Sequence, residues 1–303
     1  MANAINMPFG ETSAEIIPFR AMRPNCVTDE LIDCIANQIA SNLWPLYDPQ
    51  SQSWPNPYRL PFSDLATADI EMMASLSGNL KNSPCVCNLP PHQTLFAHED
   101  LSNAEVINSL ERYVYKKSDE VNRTPLGIFA KSELGNCVGL PIELKLRFQR
   151  MRPFQAAFLL NTANFSYLGA RSAYSPSLPS GHCFQGAYVA CRIYEAHLAD
   201  ARRLSLTAIQ LENLKHFAVD VGDRRVFAGV HYPSDNIASW FAMASIIPHC
   251  FSEHEKLLAF LGECLAKSLV KNDLDKNAVM KLPMKWLMDA IRTPPCGPPV
   301  SKT

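Results

Sequence analysis

The sequence predicts an all-α fold, a helical bundle of roughly ten helices. Apolar residues recur at helical spacing behind capping residues, three pairs fit the reciprocal capping box, and long runs alternating Val, Ile or Thr with polar residues are absent. The first helix is predicted over residues 28–44, with Leu31, Ile35, Ile39 and Leu43 on one face, Thr28 as cap, and Asp29 and Glu30 in the first turn. Residues 45–62 and 80–96, rich in Pro, Asn and Ser, read as long surface loops. Ser102 with Glu105, Thr207 with Gln210 and Ser252 with Glu255 each open a further helix. The run from Cys183 to Leu198 is a strong helical pattern, and Pro233 suits the first turn of another.

Length and composition narrow the classes. The chain has 303 residues, 47% apolar and 19% charged, enough for a sizeable core. Lys plus Arg number 28 against 29 Asp plus Glu, so the net charge of −1 gives no reason to expect nucleic acid as a partner. The N-terminal residues lack the basic start and apolar stretch of a secretory signal. The longest apolar run, Asn236 to Ile247, is interrupted by Ser239 and Ser245 and stopped by Pro248, short of the roughly 20 residues a membrane span needs. A soluble cytoplasmic protein is expected, or a periplasmic or secreted one if a leader has been removed. The ten cysteines include no CxxC pair and are read as reduced, mostly buried thiols. The simplest division is a helical, loop-rich extension over residues 1–100, a catalytic bundle over 101–292, and a disordered tail over 293–303.

Three stretches carry the chemistry. In Lys145-Leu-Arg-Phe-Gln-Arg-Met-Arg152-Pro153, Lys145 and Arg152 are seven apart, which on one helix returns to the same face, with Pro153 marking its end. Arg147 and Arg150 are expected to stay in water or pair with surface acids. Pro179-Ser180-Gly181-His182 precedes a helix, so its amides form a natural anion site, with Gly181 allowing close approach and Ser180 able to cap and to donate. In the third stretch Arg225 precedes His231, and Asp235 follows four residues later, where it can reach back to the imidazole. A carboxylate on one ring nitrogen fixes the tautomer and leaves the other nitrogen's lone pair for attack. Lys145, Arg152 and Arg225 together supply three positive charges, enough to offset a phosphate dianion and the charge shared with attacking and leaving atoms. No obvious metal-ligand motif appears, so no metal is required. The run His98-Glu99-Asp100 is contiguous, and contiguous residues rarely converge on one ion.

The order KxxxxxxRP, PSGH, RxxxxxHxxxD resembles the type 2 phosphatidic acid phosphatase and vanadium haloperoxidase superfamily, with fragments such as KLRFQRMRPF most like soluble bacterial class A acid phosphatases. That resemblance implies the helical bundle of this superfamily, with His231 as the nucleophile forming a phosphohistidine and Asp235 orienting it. It implies His182 as acid and then base, and Lys145, Arg152, Ser180, Gly181 and Arg225 as the phosphate-binding set. A metal-independent phosphatase acting on a small soluble phosphomonoester or diphosphate is the leading expectation, with no cofactor. The alternative is a haloperoxidase, in which His231 would bind vanadate. A non-catalytic anion-binding scaffold is the third. The family's Ser before the arginine of the third motif is Arg224 here, facing substrate or neutralised by Asp223.

Overall fold

The computed structural model describes residues 22–43, 64–82, 89–115, 124–162, 165–199 and 204–297. Among them are thirteen α-helices and no β-sheet. In chain order they are α1 (Asp29–Asn42), α2 (Asp64–Asn82), α3 (His92–Glu99), α4 (Asn103–Tyr115), α5 (Pro125–Asn136), α6 (Gly139–Phe148) and α7 (Pro153–Leu159), then α8 (Gly181–Ala199), α9 (Ala208–Phe227), α10 (Pro233–Cys250), α11 (His254–Leu265), α12 (Leu269–Leu274) and α13 (Lys281–Arg292). No described helix is long and apolar enough to cross a membrane.

Helices α8, α9 and α10 form the centre. From Pro233 to Ile247 every residue of α10 is buried, which is why, apart from the polar first turn and two serines, its sequence is apolar on all sides. α9 packs on α8 and α4, and α10 on α8 and α13. The α8–α9 crossing is close because small residues face it: a Cβ on Gly222 would lie 2.7 Å from Cys183 Sγ, and one on Gly186 would lie 3.1 Å from the Ala218 carbonyl. This crossing draws the N-terminus of α8 toward the C-terminus of α9.

Several local expectations are met. Thr28 accepts from the Leu31 amide at 3.2 Å, and Thr207 and Gln210 form their capping box. Others need correction. At α11 the amide and hydroxyl of Ser252 both donate to Glu195, 2.8 and 3.0 Å away, so Glu253 takes the N-cap and no box with Glu255 forms. Residues 80–82 and 92–96 are helical, not loop; 45–62 and 83–88 lie outside the described residues. Lys145 and Arg152 do not share a helix. α6 stops at Phe148, Gln149 takes a left-handed conformation (φ 47°), and Arg152 is the N-cap of α7. Pro153 opens that helix instead of ending one: its ring disfavours helical backbone at Arg152, while its missing N–H is tolerated at N1.

The cysteines also differ from expectation. Disulfides join Cys26 to Cys250 and Cys34 to Cys296 across sequence separations of 224 and 262. No local spacing reports such pairs: Cys26 precedes α1 and Cys250 ends α10, while Cys34 lies on α1 and Cys296 follows α13, so only tertiary packing brings them together. Cys137, Cys183, Cys191 and Cys264 are free and buried. Cys296 belongs to the stretch expected to be a disordered tail, and residues 298–303 of that stretch lie outside the described residues.

Candidate active site

Helix ends build the site. Lys145 comes from the last turn of α6, Arg152 from the cap of α7, Ser180, Gly181 and His182 from the start of α8, Arg225 from the last turn of α9, and Asp235 from the first turn of α10. His231 lies in the short turn between α9 and α10. That turn contains Gly229 at φ 75°, where a Cβ would lie 2.7 Å from Tyr167 Cβ, so the close approach of the 166–167 segment requires glycine. Ser180 is tied to α10 through its amide, which donates to the Asp235 carbonyl at 3.3 Å, and through its own carbonyl, which accepts from Ser239 Oγ at 2.8 Å.

The His231 imidazole has a defined tautomer. Its Nδ1–H donates to Asp235 Oδ2 at 3.0 Å, and Arg152 Nη1 lies 2.9 Å from its Nε2. A guanidinium can only donate, so Nε2 accepts and carries the lone pair. Burial, then the Arg152 and Lys145 charges, depress the His231 pKa well below its ordinary value, against the pull of Asp235. Burial alone would raise the Asp235 carboxyl; Arg150, His231 and Ser177 instead hold it well below the carboxylate range. Asp235 Oδ2 also accepts from the Tyr232 amide at 2.9 Å and from Ser177 Oγ.

The three expected phosphate cations are not equivalent. Arg152 is fully engaged: Nε donates to the Ser175 carbonyl at 2.8 Å, Nη1 to Val230 O at 2.6 Å and to His231, and Nη2 to Ser172 O at 2.8 Å and Ser175 Oγ at 3.1 Å. Lys145 Nζ donates to the carbonyls of Pro176 and of Ser177, and burial with the Arg152 charge pushes its pKa well down. Its Cε passes 3.9 Å from where a Gly181 Cβ would sit. Arg225 donates Nη1 to Asp100 Oδ1 at 3.0 Å, while its buried Nε and Nη2 have no hydrogen-bond partner among the described residues. Those two donors, and the Gly181 and His182 amides at the start of α8, suit an oxyanion.

His182 Nε2 lies 3.3 Å from the Glu99 carbonyl, so Nε2 is the donor and Nδ1 the basic nitrogen of the neutral ring. Burial, then the Arg225 charge, hold its pKa well below the ordinary histidine value.

Several residues at the site were not anticipated from the sequence. Arg150 was expected in water or paired with a surface acid, yet it is 6% exposed and donates to two buried carboxylates, Nη1 to Asp235 Oδ1 at 2.6 Å and Nη2 to Asp69 Oδ2 at 3.1 Å. Arg147 does reach a surface acid, Asp33, at 2.6 Å. Arg224 neither faces a ligand nor pairs with Asp223: its Nε and Nη2 clamp the Glu99 carboxylate at 2.9 and 2.5 Å, and Nη1 donates to Tyr113 Oη at 2.7 Å. Asp223 is occupied by Ser268 and the amides of Leu269 and Val270. Consecutive acids Glu99 and Asp100 thus meet consecutive arginines. Their adjacency in the sequence was the only signal, and it equally suited an exposed run.

Among known families, the one described as the PAP2 superfamily matches residues 127–258. That span holds every residue expected at the site, while Asp69, Glu99 and Asp100 fall before it. No curated protein matches the chain.

Proposed function

We propose that this PAP2 superfamily domain is a metal-independent phosphatase of the acid phosphatase type, cleaving a small phosphomonoester or diphosphate through a phosphohistidine at His231. The observation that carries the reading is the His231 ring, held by Asp235 on one side with its Nε2 lone pair turned toward Arg152 on the other. As Nε2 attacks phosphorus, an N–P bond forms and the ester P–O bond breaks. The Arg152 N–H released from Nε2 is then free to turn to a phosphoryl oxygen. Arg225 offers its two unpaired donors, each charge-assisted bond contributing roughly 1.5–3 kcal/mol. Lys145, Ser180 and the Gly181 amide complete the anion cradle.

His182 gives its proton to the leaving alkoxide, then takes one from the water whose oxygen attacks phosphorus and breaks the N–P bond. Such acid–base work contributes about 10²–10⁴ in rate. Burial and the nearby cations disfavour imidazolium at His182. A bound dianion offsets those cations, so protonation of His182 accompanies substrate. Vanadate is a similar oxyanion, and the same donors would hold it with His231 Nε2 as ligand; it would supply peroxide activation. The two disulfides favour an oxidising compartment over the cytoplasm.

Intact mass after rapid quenching with p-nitrophenyl phosphate tests the mechanism. His231→Ala should abolish the phosphoenzyme, while His182→Ala should still form it slowly; equal trapping in both removes the assignment. Halogenation of an acceptor by vanadate, peroxide and bromide without phosphate release would overturn the phosphatase reading, and dependence on added magnesium would overturn its metal independence.

A further inference from the structure

Behind the nucleophile lies a buried row of alternating charge. His231 Nδ1 donates to Asp235, Asp235 Oδ1 accepts from Arg150 Nη1 at 2.6 Å, and Arg150 Nη2 donates to Asp69 Oδ2 at 3.1 Å. Asp69 and Asp235 are 0% exposed, His231 2% and Arg150 6%. Ser234 braces the row: its amide donates to Asp69 Oδ1 at 3.1 Å, its hydroxyl donates to Asp69 Oδ2, and Arg150 Nη1 donates to its Oγ at 2.9 Å. The Arg150 guanidinium lies 3.5 Å above the Tyr232 ring, which fixes its plane.

We propose that Arg150 and Asp69 are a positioning pair for the nucleophile: Arg150 holds Asp235 and limits how strongly it draws a proton onto His231, and Asp69 offsets part of the Arg150 charge. The proposal rests on the reading of His231 as phosphoryl acceptor. A buried carboxylate beside an imidazole favours imidazolium, whose Nε2 has no lone pair. Arg150, on the far oxygen of that carboxylate, cancels much of its field while leaving the near oxygen to accept from Nδ1–H. The other charged or titratable groups facing His231 are Arg152 at the cap of α7, Lys145 of α6, His182 of α8 and Tyr232 of its own turn. Asp69 stands on α2, before the span that matches the family, so this part of the site is supplied by the N-terminal region.

Bracing and charge control predict different shifts. Loosening the site in any way admits water and raises the His231 pKa toward its ordinary value. Removing the positive charge in Arg150→Gln also raises it, by about one to two pH units at the effective dielectric of a protein site. Removing the negative charge in Asp69→Asn leaves Arg150 uncompensated and therefore cannot raise it.

The experiment is the titration of His231 by ¹⁵N NMR of histidine-labelled protein in both variants, alongside the pH profile of kcat/KM for p-nitrophenyl phosphate. The expected result is a rise for Arg150→Gln, moving the acid limb to higher pH, and no rise for Asp69→Asn. A rise in both, or none in Arg150→Gln, overturns the proposal. Should Arg150→Gln fail to fold, Asp69→Asn decides by itself: the uncompensated Arg150 charge should lower the His231 pKa, and an unchanged or raised value overturns the proposal. The NMR titration needs no turnover, so wild type that hydrolyses nothing counts against the phosphatase reading and leaves this test standing.

Discussion

Three arginines within the motifs, Arg150, Arg152 and Arg225, are chemically identical in the sequence and do three different things in the fold. Arg152 spends all its donors on carbonyls, a serine and His231; Arg150 is held between two aspartates; Arg225 keeps two donors unpaired. Permanent charge makes a residue a candidate for phosphate, but its acceptors decide whether it is available. Burial, and then the crowding of neighbouring cations, depresses Lys145, His182 and His231 below their ordinary values. A bound oxyanion reverses the Coulomb part of that depression, so each pKa rises on binding and protons are taken up between the free and bound values. Binding of sulfate, an oxyanion fully ionised at this pH, measured by calorimetry in buffers of different ionisation enthalpy should therefore show net proton uptake near pH 6. Proton release would contradict these electrostatics.

At the scale of elements, α3 matters more than its eight residues suggest. Its last residue, Glu99, clamps Arg224 and offers its carbonyl to His182, and its first, His92, packs edge-on against Phe227 in the last turn of α9 at 5.3 Å. His92 is 1% exposed, and neither ring nitrogen has a hydrogen-bond partner among the described residues. Burial, then the Arg224 charge, lower its pKa to about 3. The unfolded chain binds that proton near 6.5. Stability from this group is thus complete above about 6.5 and is lost as pH falls toward 3, amounting to about 2 kcal/mol at pH 5. His92→Leu should flatten the fall in melting temperature between pH 7 and pH 5; an unchanged slope refutes the buried neutral state.

For the whole molecule, the N-terminal region and the matched domain are interlocked. Asp69, Glu99 and Asp100 each neutralise an arginine of residues 127–258, and Cys26 and Cys34 are bonded to Cys250 and Cys296. A disulfide closing so long a loop commonly contributes about 2–5 kcal/mol by restricting the unfolded chain. Cys34→Ser should lower the denaturant midpoint accordingly, and thiol titration of denatured protein should rise by at least four on reduction; a smaller rise excludes the two bonds.

Helix formation and the order of the motifs were legible because their causes are local. Thr28 caps α1 from three residues away, and Asp235 reaches His231 across one turn, so spacing reports both. The spacing of Lys145 and Arg152 suits one helix because Pro153 can close a helix or open the next; left-handed Gln149 ends α6 first, which leaves Pro153 to open α7. Partnerships across the chain left no such trace. Glu99 meets Arg224, and Asp100 meets Arg225, across 125 positions, and Asp69 meets Arg150 across 81. The sequence by itself determined which groups could carry phosphoryl chemistry, since side-chain chemistry and one-turn spacing are properties of short segments. The tertiary structure decided which cations remain free for a ligand and which are spent on carboxylates, since a buried charge takes whatever partner close packing brings to it.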